Sequence, residues 1–237
     1  MPESNFSATE NRLLALLPDE ERERLSPSLE QVELRQGDVI FHMDEPIERV
    51  CFPDSGIVSI VSTSARGESV EIGMVGYEGV AGLSVILGDG VPHNRRAVVQ
   101  IEGGGRVIKA DALRREFKRG GPFQDTLLRY AQAYLTVVSQ SVFCQAFHNI
   151  DERLARWLVE CQFRTKANEL GLTHEYIAEI IGVRRAGVTE AVGRLTERGL
   201  ITHTRGALTV VDRQGLEAAA CECLSIIRLE FDRLLGT

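Results

Sequence analysis

Several features are missing from this 237-residue chain, and each absence removes a class of function. No cleavable signal sequence opens it, and no apolar run is long enough to cross a bilayer, so a cytoplasmic protein with no membrane partner is expected. A disulfide framework is also lacking: Cys51, Cys144, Cys161, Cys221 and Cys223 are scattered and odd in number, which leaves reduced thiols as the expectation. There is no excess of positive charge either. The formal net charge is -7, which argues against non-specific attachment to a polyanion as the main activity. No nucleophile, base and orienting acid fall in a recognisable order, and no phosphate-binding glycine loop precedes a helix. The chain is therefore not expected to be an enzyme.

What is present concentrates in residues 172–211, LTHEYIAEIIGVRRAGVTEAVGRLTERGLITHTRGALTVV. Thr173 is a good N-cap, and Tyr176, Ile177, Ile180 and Ile181 recur behind it at helical spacing. Gly182 stands where a tight turn between crossed helices needs positive φ, and the small Ala178 lets the second helix approach. Val188, Ala191, Val192 and Leu195 give that second helix an apolar stripe. Arg184, Arg185, Gly187, Thr189, Glu190 and Arg194 are left near its outer or N-terminal surface. Gly199 ends the helix, and residues 200–211 alternate around Arg205-Gly206, a hairpin turn with arginine at its tip. The pattern is a helix-turn-helix with a β-wing, whose second helix enters the major groove N-terminus first. Thr173, His174, Arg184, Arg185, Gly187, Thr189, Glu190, Arg194 and Arg205 are the candidate DNA contacts, with Arg185 the candidate for guanine. Between residues 165 and 214 there are seven Lys/Arg against six Asp/Glu, so the basic charge is local and long-range steering is weak.

Residues 11–25 read as a short amphipathic helix, with Pro18 marking a break, and the helix is expected to pack on the β-rich region after it. Residues 32–109 change to short β-rich runs, VEL, DVIF, RVCF, GIVSIV, SVEIGMV, AVVQI and RVIKA. Gln36-Gly37-Asp38, Ala65-Arg66-Gly67 and Gly103-Gly104-Gly105 are read as their turns. A long helix is expected from Pro122 to Phe147, with Leu128, Ala131, Leu135, Val138 and Val142 at alternating spacings of three and four, the repeat of a two-stranded coiled coil. That stripe predicts a homodimer, while Leu127, Tyr130 and Tyr134 offer a second face to the chain's own β region. Asn149-Ile150-Asp151 reads as a hinge, with Asp151 capping the next helix. Residues 215–235 read as one further amphipathic helix, expected to pack on the winged helix.

Taken together, LRQGDVIF, GIVSIV, GMVGYEGVAG and the winged helix resemble, in order, the Crp/Fnr family of bacterial transcription regulators. The resemblance implies an α+β chain with a jelly-roll-like β-roll (a double-stranded β-helix) over residues 1–121. A dimerisation helix over 122–148 and a winged helix-turn-helix over 149–237 would come next. It implies double-stranded DNA as partner, a homodimer on a near-palindromic operator, and RNA polymerase if the protein activates. The family's Arg-Glu-x-x-x-Arg reading pattern is kept at Arg185, but Ala186 and Glu190 stand at the other two positions. Arg184 is then available to hold a phosphate or a second base, and Glu190 either accepts from a cytosine amino group or lies on the solvent side.

The effector residues implied by the resemblance depart from the cyclic-nucleotide pattern. Gly79-Val80-Ala81-Gly82-Leu83 lacks the ribose carboxylate, with Glu78 out of register, and Arg95-Arg96-Ala97 lacks the hydroxyl. Val138-Ser139 keeps one hydroxyl of two. Gly79, Ala81, Gly82, Arg95, Arg96 and Ser139 remain the candidate pocket, for a different anion or for no ligand, because each lost buried hydrogen bond costs about 1–3 kcal/mol. No cofactor is expected. No cysteine precedes Cys51 to build the family's N-terminal iron–sulfur centre, and His42, Cys51 and His93 are read as ordinary residues rather than haem ligands. Cys144 and His148, four apart on a helix, would suit half a metal site, but partly buried interface residues is the reading carried forward, with Cys221 and Cys223 as packing residues and no metal. The alternative for the whole chain is a cyclic-nucleotide or other small-ligand module whose helix-turn-helix is not its main activity.

Overall fold

A computed structural model describes residues 10–236. They gather into two compact units, one of residues 10–60 and 74–133, the other of 61–73 and 134–236. The division falls inside the long helix rather than at its start.

The first unit opens with α1 (Arg12–Ala15) and α2 (Asp19–Leu25), separated at Pro18. Asn11 caps α1 by accepting from Leu14 N, and it is fully buried because its Nδ2 donates to the carbonyls of Pro53 (2.7 Å) and Gly79 (2.9 Å). Leu13, Leu14 and Leu17 bury behind that anchor, as the expected packing requires. The strands come next: β1 (Leu29–Leu34), β2 (Val39–Phe41), β3 (Arg49–Pro53), β4 (Ile57–Thr63), β5 (Ser69–Val75), β6 (Arg95–Ile101) and β7 (Gly103–Lys109), with the far end of β4 and most of β5, inside residues 61–73, counted in the second unit. Helix α3 (Ser84–Leu87) lies between β5 and β6, and α4 (Ala110–Lys118) follows β7. They form two sheets, ordered β1-β7-β3 and β2-β6-β4-β5, the β-roll expected from the runs of apolar residues. One turn assignment is corrected. The glycine triplet lies within β7, pairing with Leu34, Glu33 and Val32 of β1, and not in a turn. Its bareness serves close approach: a Cβ on Gly105 would stand 2.8 Å from the Phe52 carbonyl oxygen.

Helix α5 spans Pro122–Phe147, the limits read from the sequence. In the second unit α6 (Ile150–Thr165) follows after only His148 and Asn149, so Ile150 and Asp151 are already helical and the expected hinge is shorter. The cap is Asn149, not Asp151: Asn149 Oδ1 accepts from Glu152 N (3.1 Å) while the Glu152 carboxylate accepts from Asn149 N (3.0 Å). That reciprocal pair satisfies two otherwise orphan donors, which a lone Asp151 carboxylate would not do. Asp151 is thereby free for another partner.

Then come β8 (Glu169–Leu170), α7 (His174–Ile181), α8 (Arg185–Glu197), β9 (Ile201–Thr204) and β10 (Ala207–Val210), the wing being a three-stranded sheet ordered β8-β10-β9. The segment expected as one terminal helix is two, α9 (Arg213–Ala219) and α10 (Cys223–Leu235), broken over residues 220–222. No glycine or proline signals the break. It turns Cys221 and Cys223 inward, where both are buried. Among the described residues no helix is long and apolar enough to cross a membrane.

The capping box makes a test of stability. Asn149→Ala is expected to destabilise the protein by about 1 kcal/mol in denaturant unfolding, and Asn149→Asp by much less. Equal losses for the two would assign the effect to something other than the cap.

Candidate nucleic-acid interface

Helix α8 is positioned from below by fully buried side chains. Val188, Ala191, Val192 and Leu195 of α8 are all inaccessible, as is Ile177 of α7 and as are Leu154 and Leu158 of α6. Burying one face of α8 leaves the opposite face no choice but solvent. Thr173 caps α7, its Oγ1 accepting from Tyr176 N at 3.2 Å. The chain then reverses at Gly182, whose φ of +66° is a left-handed conformation that a side chain would strain. The same turn is crowded: a Cβ on Gly182 would meet Val70 Cγ2, in the 61–73 segment of this unit, at 3.1 Å. Glu71 of that segment accepts from the indole N–H of Trp157 at 3.0 Å.

Arg184 occupies the N-cap of α8 in extended conformation with no side-chain capping bond, so the first-turn amides of the helix and an exposed guanidinium share one end. Both favour an anion there. Arg185 is exposed, its side chain 69% accessible, and lies 3.5 Å from the Glu175 carboxylate of α7. Thr189 donates to the Arg185 carbonyl (3.1 Å) and meets His174 Nδ1 at 3.1 Å. His174 also faces the ring of His203 on β9, with centroids 5.8 Å apart. Arg205 is exposed at the wing turn beside Gly206, as the alternation predicts.

Two expected contacts are placed differently. Gly187 is half-buried, and a Cβ there would stand 3.0 Å from Ile150 Cδ1, so it packs α8 on α6 instead of lying on the outer face. Arg194 makes a bidentate bond to the Asp151 carboxylate, 2.7 Å from each oxygen, and lies 3.7 Å from Glu190. It ties α8 to the start of α6. Glu190 is exposed. Sequence reading missed Glu175 and His203, which reach the interface from other elements and carry no spacing signal.

In the first unit, the candidate effector segment is already engaged. The Gly79 amide donates to the Gly76 carbonyl (3.0 Å) and the Ala81 amide to the Cys51 carbonyl (2.8 Å). The ring and hydroxyl of Tyr130 lie so close to Gly79 that a Cβ there would have no room. Gly82 is buried, Arg95 and Arg96 are half-buried on β6, and Glu78 is buried with its carboxylate accepting from Gly76 N at 3.2 Å. Ser139 belongs to the second unit and spends its hydroxyl on the Leu135 carbonyl, 2.8 Å away. Cys51 is completely buried, and that burial pushes its thiol up to about 12. His42 and His93 are exposed, with His93 against Asp44 at 3.2 Å.

A β-roll followed by a long helix and a winged helix-turn-helix, with paired arginines exposed at the start of its second helix, defines the class of effector-domain DNA-binding regulators. Comparison with known proteins agrees. Residues 31–119 match the cyclic nucleotide-binding domain, and residues 152–219 match the Crp-like helix-turn-helix domain. The chain belongs to the Crp/Fnr family. It is 25% identical over 203 residues to a CRP-like cAMP-activated global transcriptional regulator of Mycobacterium tuberculosis, covering 83% of this chain and 90% of that one. It is also 25% identical over 211 residues to a global nitrogen regulator of Synechococcus elongatus, covering 86% and 94%. FixK2 from Bradyrhizobium japonicum shares the fold with a TM-score of 0.68 at 20% identity, over 81% of this chain and 98% of that one.

His174 supplies a pH test. Burial, with His203 and Arg185 adding repulsion, holds its imidazole below the ordinary value. A depressed histidine binds fewer protons folded than unfolded, so its stability contribution is full above the unfolded value of about 6.5 and is lost as pH falls through the folded one. Acidification from about pH 7 to about pH 5.5 is expected to lower the urea midpoint more in the wild type than in His174→Asn. His148, whose imidazole is raised, works in the opposite sense but is common to both proteins.

Proposed function

We propose that the chain is a sequence-specific DNA-binding transcription regulator that acts in the cytoplasm as a homodimer on a near-palindromic duplex site. The observation that carries this reading is the exposure of Arg184 and Arg185 at the N-terminus of α8, above a helix face that is wholly buried. In that arrangement Arg185 reaches the O6 and N7 edge of a guanine, and Arg184 with the first-turn amides holds a phosphate. Thr173, His174 and Thr189 line the same surface, and Arg205 places the wing on the backbone. Glu190 faces a cytosine amino group or solvent, while Gly187 packs the helix on α6 and Arg194 ties it to Asp151 from the rim.

The dimer reading rests on α5. Leu128, Leu135 and Val142, at intervals of seven, are 45%, 64% and 68% exposed, an apolar seam with no cover in the single chain. Ala131 is buried and Val138 half-buried, so they flank the seam. The amides of Gly79 and Ala81, already bonded within the β-roll, support regulation by a ligand other than a cyclic nucleotide, or by abundance. RNA polymerase is the further partner if the protein activates.

Selection of bound sequences from a random duplex library, at one stated salt concentration, tests the proposal. A two-fold symmetric site is expected, and no enrichment by the protein would overturn it. Arg185→Ala is expected to weaken binding by about 1–3 kcal/mol, roughly ten- to hundredfold, and to relax one base position per half-site while the dimer persists. Leu135→Glu is expected to give monomers by light scattering and to lose the symmetric site.

A further inference from the structure

Four side chains that the DNA-reading role does not use converge at the junction of α5 with the C-terminal segment. The ligand atoms of Cys144, His148, Cys221 and Cys223 all lie within 4.8 Å of one another. Cys144 Sγ is 3.5 Å from Cys221 Sγ, and Cys223 Sγ is 3.6 Å from His148 Nδ1. The three cysteines are buried and His148 is nearly so. The pairs are distant in sequence, and the break between α9 and α10 is what turns Cys221 and Cys223 toward α5. The expectation that they are packing residues without partners is therefore revised.

We propose that Cys144, His148, Cys221 and Cys223 form a mononuclear, tetrahedral Zn2+ site. Three features of the surroundings argue for a metal over a chance gathering of thiols. The first is size. Bonds of about 2.3 Å to sulfur and about 2.0 Å to nitrogen set tetrahedral donors roughly 3.5–3.8 Å apart, close to the two distances above. An iron–sulfur cluster divides its four ligands among two or more iron atoms, which sets some of them farther apart than the 4.8 Å within which all four lie here. The second is the histidine. With Nδ1 turned into the cluster, its Nε2 lies 3.0 Å from the Glu222 carboxylate. A carboxylate on the outer nitrogen fixes ring orientation and tautomer in the way ligating histidines require. The third is charge. A divalent ion with three thiolates leaves one negative charge, and buried Arg153 and Arg156 with buried Glu160 leave one positive charge beside it. Arg156 is itself held 3.0 Å from Glu160.

Protons balance simply. Cys144, Cys221 and Cys223 release their thiol protons to solvent as the ion binds, so three protons leave for each ion taken up. A disulfide between Cys144 and Cys221 would leave Cys223, His148 and Glu222 without a purpose. The ion would join the end of α5 to the α9–α10 junction, across the His148–Asn149 link.

The test uses the full chain. Elemental analysis of protein purified under reducing conditions is expected to give about one zinc per chain. After chelation, Co2+ as probe is expected to bind one to one with thiolate charge-transfer and intense tetrahedral d–d absorption, and Zn2+ to displace it. Glu222→Gln, at an exposed position, is expected to weaken Co2+ binding about 10–100-fold. Cys223→Ser should weaken it further, while Cys51→Ser in the other unit leaves it unchanged. An iron–sulfur chromophore, a Cys144–Cys221 disulfide in protein that binds no Co2+ once reduced, or Co2+ uptake without tetrahedral bands would each overturn the proposal. None of these readouts depends on DNA, so a metal-free protein that still selects a symmetric duplex would refute the site and leave the regulator reading standing.

Discussion

How closely α7 and α8 can approach decides most of what the second unit does. Ala178, Gly182, Gly187 and Ala191 are small where the helices of this unit meet, and Val188 and Val192 of α8 are sealed from water. A core packed this tightly has little slack, since interiors hold near-crystalline density and a single added methylene is felt. The rigid placement of α8 is thus the cause of its exposed arginines: one face is committed to the core, and the remaining side chains are displayed at fixed angles. Arg194 reinforces the arrangement from the rim by gripping Asp151, the residue that Asn149 released when it took the cap.

Much of this was legible in the sequence. Periodicity found α5 to its limits, and turn glycines placed the α7–α8 corner and the wing. The strands of the β-roll showed as β-rich runs because buried strands must be apolar. What stayed hidden depended on competition or distance. Asn149 and Asp151 are both good caps, and only the reciprocal bond with Glu152 decides between them. Gly103-Gly104-Gly105 has a turn's composition, yet the approach of neighbouring backbone makes it a strand. Arg194 looked as available as Arg185 until a carboxylate 43 positions away engaged it. The break at 220–222 has no local cause, and Cys144 and Cys221, 77 positions apart, could be joined only by the tertiary fold.

Residue types at the family's ligand positions have changed, and the backbone groups left behind are bonded elsewhere. Tyr130 leans on Gly79, whose carbonyl holds Asn11, so the segment joins the N-terminal anchor to α5 within one unit. These bonds brace the first unit. The β-roll retains the family's architecture while the amides of Gly79 and Ala81 serve internal bonds.

Glu175, 3.5 Å from Arg185, gives the arginine proposed to contact guanine a resident counter-ion. Both partners are largely exposed, so the pair is weak, on the order of 1 kcal/mol or less. A duplex must displace it all the same. A randomly placed phosphate gains little by the exchange, whereas a guanine offering two acceptors in the right plane gains more, so the carboxylate acts as a filter against loose encounters. Added salt weakens that internal pair together with the duplex contacts, and the two effects oppose each other. The ionic-strength response of this regulator therefore understates the number of phosphates it touches.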